Sequence, residues 1–180
     1  NIVKGITDKI NWAQGIIFAT TTFNMQPTAL TKNLLDHLCA LLHRPCFFTK
    51  KALVVSTTAV IGANKTVKYV EGTFRGMGIN KCYTMAVNSY SWNDYKLNDK
   101  AKLKCQKTAR IFHKDVASRK LHSPKWMILI PYNLFRGMSP SYKEGTEFQT
   151  ADGTHWTNPV RTKGVYDKKV PVPLYKKLIG

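Results

Sequence analysis

Three short apolar runs, each followed by a loop of small residues and then by a helical repeat, constrain the fold of this chain most strongly. The runs are residues 15–20 (GIIFAT), 52–56 (ALVVS) and 82–87 (CYTMAV). Runs of this length that are rich in β-branched residues are typical of strands buried on both faces, as in parallel sheets. The repeated order of strand, loop and helix therefore predicts an α/β fold in which helices cover both faces of a parallel sheet.

The segment after each strand carries apolar residues at helical spacing, which predicts helices over about residues 27–44, 64–77 and 98–120. Their inward-facing positions are Leu30, Leu34, Leu38 and Leu41 in the first helix, Val67, Val70, Phe74 and Met77 in the second, and Ala101, Cys105, Thr108, Phe112 and Val116 in the third. Gly78 suits a left-handed cap after the second helix. Asn98 or Asp99 suits the N-cap of the third.

The pattern changes after Ser123, where the helical periodicity ends. Residues 126–130 form one more apolar run, and we expect Pro131 to interrupt any helix there. For residues 126–135, an arm or strand that packs on its own domain or on a dimer partner is favoured over a segment that docks on a membrane surface or in the groove of a partner. We interpret residues 1–123 as the α/β domain and residues 124–180 as a basic, partly irregular C-terminal extension.

The formal net charge of +18 comes from 28 basic and 10 acidic side chains. No stretch approaches the roughly 18 apolar residues of a membrane-spanning helix, so we expect no membrane span. Residues 98–122 carry eight Lys or Arg and two Asp. A solvated helix face is favoured over a phosphate-tracking stripe, because no nucleic-acid-binding motif accompanies these charges. We therefore expect no specific nucleic-acid partner.

The four cysteines, Cys39, Cys46, Cys82 and Cys105, form no CxxC pair. This spacing favours a reduced, cytoplasmic protein, in which we expect Cys39, Cys82 and Cys105 to pack as small apolar residues. The five histidines show no ligand spacing with one another or with acidic residues, so no metal site is predicted.

Two loops follow the first two predicted strands, at the sheet edge where open parallel sheets bind ligands. They are residues 20–28 (TTTFNMQPT) and 56–63 (STTAVIGA), and their small and polar residues suit a flat heteroaromatic ligand. The candidate binding residues are Thr20, Thr21, Thr22, Phe23, Asn24, Met25, Thr57, Thr58, Ala59 and Gly62. Loops of this kind are also small and polar where no ligand binds, and Thr57 or Thr58 alternatively serves only as a helix cap.

Residues 8–38 resemble the third strand, flavin loop and following helix of the flavodoxin-like NAD(P)H-dependent FMN reductases. That family often has a Pro-x-Tyr-Asn-Gly core followed by Lys-Asn and Asp. The matching residues here are Asn24, Lys32, Asn33 and Asp36, whereas Thr21, Phe23 and Met25 replace the family's proline, tyrosine and glycine. Residues 51–79 similarly resemble the fourth strand, second flavin loop and helix, and the two matches together extend over roughly residues 8–120.

The resemblance implies a flavodoxin-like, three-layer αβα fold that retains strands three, four and five of the order 2-1-3-4-5. The family's phosphate-binding loop follows its first strand, and residues before Gly15 do not supply that unit. The strand at residues 15–20 would then form an uncovered apolar edge, which favours self-association.

The resemblance also implies an FMN-dependent oxidoreductase that uses NADH or NADPH as co-substrate. Hydride would pass from the nicotinamide through flavin N5 to a small electron acceptor such as a quinone or a free flavin. The cofactor performs this chemistry, so no catalytic side chain is predicted. Relatives of this kind are commonly homodimers. The alternative is a truncated, non-catalytic flavodoxin-like module that acts in partner binding.

Overall fold

In the described residues up to 118, the secondary structure follows the predicted alternation of strands and helices, except that Pro27 lies in a short strand and the helix predicted over about residues 27–44 is divided into two. A computed structural model describes residues 2–90, 97–142 and 145–158. In chain order the elements are α1 (Ile2–Trp12), β1 (Gly15–Phe23), β2 (Gln26–Pro27), α2 (Ala29–His37), α3 (Ala40–His43), β3 (Lys51–Thr58), α4 (Ala63–Gly76), β4 (Lys81–Asn88), α5 (Asp99–Ser118), α6 (Trp126–Met138), a 3-10 turn (Ser139–Ser141) and α7 (Glu147–Thr157).

The sheet has the strand order β2-β1-β3-β4, and β1, β3 and β4 are parallel. The two-residue strand β2 pairs antiparallel with the end of β1. This mostly parallel sheet with flanking helices confirms the flavodoxin-like α/β fold. The expected open edge is present too, since residues 15–21 of β1 have no strand partner on their outer side among the described residues.

One face of the sheet holds the main hydrophobic core. Val54 of β3 is fully buried there, against residues of α2 and α4. The predicted inner face of α4 is confirmed, because its members are at most 5% exposed: Val67, Val70, Phe74 and the following Met77. Gly78 has φ of 97°, so it adopts the predicted left-handed conformation after the helix.

The prediction for Leu30 is wrong, because this side chain is 80% exposed. The N-cap of α2 is Thr28, whose side chain accepts a hydrogen bond from the backbone N–H of Thr31. With that start, Thr31 and Leu35 lie on the inner face and Leu30 points to solvent. The other three predicted positions are confirmed, because Leu38 is buried and Leu34 and Leu41 pack against the core.

Helix α5 covers the opposite face of the sheet. Its N-cap is Asn98, as predicted, and the side chain accepts a hydrogen bond from Ala101 N at 2.8 Å. A Cβ atom added at Gly15 would lie 2.8 Å from Val116 and 3.0 Å from Phe112, so the helix approaches β1 closely there. Farther along β1, Ile17 remains 67% exposed. The α5 face is thus only partly covered by the described residues.

The C-terminal part contradicts the expectation that Pro131 ends any helix, because Pro131 lies inside α6. Pro131 is exposed, whereas Leu129 and Tyr132 beside it pack with Phe48 and Trp156 in a second cluster. Burial of these side chains stabilises a helix despite the missing backbone N–H. The described part of 124–158 is mainly helical rather than irregular. Residues 143–144 and 159–180 lie outside the described residues, and the division at residue 123 stays a prediction.

The four cysteines are free. Cys82 is buried, as predicted, and burial raises the pKa of its thiol to about 12. Cys105 is half-buried, but Cys39 is exposed, so the expectation that it packs in the core is wrong. Within the described ranges, no group of three or more His, Cys, Asp or Glu side chains could hold a metal ion. None of the helices described there combines the length and apolarity needed to cross a membrane.

A polar cluster fixes α5 to the amino end of the sheet. The Asp115 carboxylate accepts hydrogen bonds from Tyr83 Oη at 3.0 Å and from His122 Nε2 at 2.9 Å. Asn80 clamps the backbone of His122, donating to its carbonyl and accepting from its N–H, both at 2.9 Å. Burial raises the pKa of the Asp115 carboxyl, whereas the hydrogen bonds from His122 and Tyr83 lower it. The net shift of the pKa is downward.

Replacement of Asp115 by Asn should lower the free energy of unfolding at neutral pH by about 1.5–3 kcal/mol, the typical value of hydrogen bonds to a charged group. Because folding depresses the pKa of this carboxyl, its stabilisation is present above about pH 3.9 and is lost as the pH falls through the folded-state value. Urea unfolding at several pH values measures both effects. The exposed Asp99→Asn variant is the control, and equal stability of Asp115→Asn and wild type at pH 7 would contradict the argument.

Candidate functional site

The first predicted loop is a tight hairpin at the carboxyl end of β1. Thr22 pairs with Pro27 and Phe23 with Gln26, which leaves Asn24 and Met25 as the two turn residues. Their φ angles of 47° and 60° are those of the two-residue turns that favour glycine and asparagine. Met25 lies where the family that residues 8–38 resemble often has glycine. Its backbone adopts the left-handed conformation although it carries a side chain.

The second predicted loop contacts this hairpin. Gly62 has φ of 105°, and a Cβ atom added to it would lie 3.0 Å from both Met25 Cα and Thr22 Cγ2. Beneath the contact, Thr22 Oγ1 lies 2.8 Å from Ser56 Oγ and donates to Thr66 Oγ1 at 2.9 Å. Ser56 and Thr66 are fully buried. The two loops that the sequence singled out therefore lie side by side at one edge of the sheet.

Several candidate residues use their polar groups within the protein. Thr20 Oγ1 lies 2.8 Å from Thr31 Oγ1, and Thr58 donates to the Ile61 carbonyl at 2.9 Å. The Ala59 carbonyl accepts a 2.6 Å hydrogen bond from the backbone N–H of residue 90. With Thr22 and Gly62, these residues position the loops rather than present free side-chain donors.

The remaining polar candidates are exposed. Thr21 and Thr57 are register partners on β1 and β3, neighbouring strands about 4.8 Å apart, and both side chains point to the α5 face. Neither hydroxyl bonds to another described residue. Asn24 and Phe23, the latter 67% exposed, project from the hairpin beside them. This arrangement offers a planar ligand two hydroxyls, one amide and one aromatic ring.

Two residues of the second loop were not singled out from the sequence. Val60 is 52% exposed and Ile61 is 59% exposed, so two branched apolar side chains lie at the tip of the loop, which we call its crest. Asn88 at the end of β4 donates to the Val60 carbonyl at 2.7 Å and holds this crest in place. The adjacent β-branched residues in an otherwise small and polar loop were the available signal. Exposed apolar groups beside polar ones are typical of binding surfaces.

The edge fits the ring of a flavin better than its phosphate. Small loop residues, free hydroxyls and exposed apolar side chains suit a flat heteroaromatic group with polar rims. A phosphate site needs several converging backbone N–H groups, as at the loop between a strand and a helix. Within residues 2–90, α1 leads directly into β1 and no strand precedes it, so these residues provide no such unit.

Comparison with known proteins agrees with this geometry. The protein-family model described as NADPH-dependent FMN reductase matches residues 1–94, which is more than half of the chain. The matched region contains both loops and the three parallel strands. No curated protein matches the chain.

Replacement of Gly62 by Ala should separate the two loops. The added methyl group would meet the backbone at Met25 from a conformation that L side chains rarely adopt, and we expect a loss of about 1–3 kcal/mol of unfolding free energy. Gly72→Ala in α4 is the matched control, because nothing lies within 4 Å of its Cβ position and alanine favours helices. Thermal unfolding compares the two, and a Gly62→Ala variant as stable as Gly72→Ala would contradict the close contact.

Proposed function

The chain belongs to the NADPH-dependent FMN reductase family, and from this premise we propose that it is an FMN-dependent NAD(P)H oxidoreductase acting on a small electron acceptor such as a quinone or a free flavin. Family membership implies FMN as the cofactor and NAD(P)H as the co-substrate. The observation that carries the proposal is the contact between the two loops at Gly62, with the free hydroxyls of Thr21 and Thr57 beside it.

The exposed residues of the two loops have different roles in binding the flavin ring. Thr21 and Thr57 donate hydrogen bonds to the polar rim of the flavin ring, and the Asn24 amide contributes a further donor and acceptor. Val60 and Ile61 exclude water from one part of the ring. FMN held by these residues would supply the redox chemistry, the transfer of hydride between NAD(P)H and the small acceptor. The chain therefore needs to bind and orient its ligands without an acid, base or nucleophile of its own.

Flavin titrations test this assignment. We expect Thr21→Val and Thr57→Val each to weaken binding of FMN and of riboflavin by about two- to tenfold, because each removes one neutral hydrogen bond. Quenching of flavin fluorescence measures affinity, and NADPH oxidation in the presence of FMN measures activity.

Thr73→Val is the control for these variants, because its hydroxyl bonds within α4 to the Tyr69 carbonyl. If both site variants bound flavin as tightly as wild type, Thr21 and Thr57 would be rejected as flavin-binding residues. Failure of the wild-type chain to take up FMN or to oxidise NADPH would reject the proposed activity itself.

A homodimer is the second part of the proposal. Among the described residues, none pairs with the outer edge of β1 over residues 15–21, and Ile17 is 67% exposed on the partly covered face of this strand. Exposed strand edges with apolar side chains favour pairing with another chain. The same edge supports the alternative function, a non-catalytic flavodoxin-like module that binds a partner.

Ile17→Lys should shift the chain from dimer to monomer, because it places a charge on the apolar edge. Light scattering after gel filtration measures the mass. Leu30→Lys is the matched control, since Leu30 is 80% exposed on α2. A wild-type monomer would exclude the homodimer, whereas a dimer that takes up no FMN would favour the partner-binding module over the enzyme.

We also propose a cytoplasmic location. The support is the set of four free cysteines, which suits a reducing compartment. Cell fractionation tests this location, and recovery of the tagged chain outside the cytoplasmic fraction would contradict it.

A further inference from the structure

A cleft of about 340 Å³ lies at the carboxyl end of β4, between that strand and the first turns of α5. Val87 and Asn88 line its strand side, and Lys100 and Lys104 line its helix side. Asn64, in the first turn of α4, closes a further side. No sequence pattern distinguishes these residues, because the two lysines belong to a helix with basic residues along most of its length.

The described residues give the cleft a positive charge. None of the described residues that line it is acidic. Lys104 Nζ donates to the Ala86 carbonyl at 3.0 Å, which anchors the ammonium at the wall and leaves its other N–H groups for a ligand. Asp99, beside Lys100 in the chain, instead pairs with Lys102 at 3.3 Å and is 93% exposed. The two cleft lysines thus have no carboxylate partner among the described residues.

The cleft adjoins the candidate flavin site. Val87 is the register partner of Thr57, so the cleft begins on the strand next to Thr57, and the two strands lie about 4.8 Å apart. Asn88 joins the two regions, because its side chain donates to the Val60 carbonyl at the crest of the second loop. If the nicotinamide of the co-substrate lies over the flavin ring, the rest of the dinucleotide must extend beyond the ring. Its phosphates then require cationic groups near the site.

We propose that this cleft binds a phosphate group of the nicotinamide dinucleotide, with Lys100 and Lys104 as the cationic donors. The assignment rests on the proposed function and adds a specificity site to it. Lysine ammoniums next to amide groups form charge-assisted hydrogen bonds to phosphate. The dinucleotide offers this chemistry at its diphosphate and, in NADPH, at its 2′-phosphate.

The test is equilibrium binding by calorimetry with three probes. Adenosine 2′,5′-bisphosphate carries the 2′-phosphate, ADP carries the diphosphate, and adenosine is the neutral control. The Lys100→Ala/Lys104→Ala double variant should bind one or both phosphate probes at least tenfold more weakly than wild type, and this loss should shrink at high salt. The probe that loses affinity identifies the phosphate. The Lys100→Arg/Lys104→Arg variant should retain most of the binding.

Lys107→Ala/Lys114→Ala is the matched control, because it removes the same charge from α5 outside the cleft. An equal loss in this control would mean unspecific attraction and overturn the assignment. Unchanged affinity in the cleft variant, or no binding of either phosphate probe to wild type, would also overturn it. If the cleft variant instead bound FMN more weakly but riboflavin as tightly as wild type, the cleft would bind the phosphate of FMN, and the assignment to the dinucleotide would be overturned. Absence of NADPH oxidation with FMN present, by contrast, rejects the proposed function and not the phosphate site.

Discussion

Three hydroxyl groups, one half-buried and two fully buried, determine where both loops of the candidate site lie. Thr22 belongs to the end of β1, Ser56 to β3 and Thr66 to α4, and the first bonds to both of the others. A buried hydroxyl without a partner costs on the order of 1–3 kcal/mol, so each residue requires the others in place. The network therefore ties the hairpin, the central strand and the helix into one unit. It also brings the hairpin against Gly62, where a residue with a side chain would push the loops apart.

The sequence predicts the elements well where one physical signal dominates. The β-branched runs lie in β1, β3 and β4, and the inner face of α4 follows its apolar repeat. Prediction fails where tertiary packing outweighs a local preference. Pro131 is tolerated within α6 because Tyr132 and Leu129 bury large side chains against Phe48. No local pattern reveals that contact, since Phe48 lies about eighty residues earlier in the chain.

The sequence predicted the two loops and their candidate residues, but it did not separate the side chains that face outward from those that bond within the protein. The sequence offered Thr20, Thr21 and Thr22 as equivalent residues, because nothing in it shows how far β1 extends. The strand continues to Phe23, so successive side chains point to opposite faces. Thr20 and Thr22 therefore bond within the protein, and Thr21 alone faces outward beside Thr57. A one-residue change in strand register would reverse these roles. Which of these candidate residues face outward thus depends on pairing with β3, which is a property of the folded sheet.

Helix α5 connects the two ends of the sheet, and this explains how so basic a helix keeps a defined position. Phe112 is its one buried residue among those described, so apolar packing alone holds it weakly. At its C-terminal end, the Asp115 carboxylate joins it to Tyr83 and to the following His122, and near its N-terminus Lys104 bonds to the end of β4. A 20-residue helix is about 30 Å long and stiff, so anchoring at both ends fixes the direction of its whole polar face. The cluster at the amino end of the sheet therefore also determines where the cleft lysines lie at the opposite end.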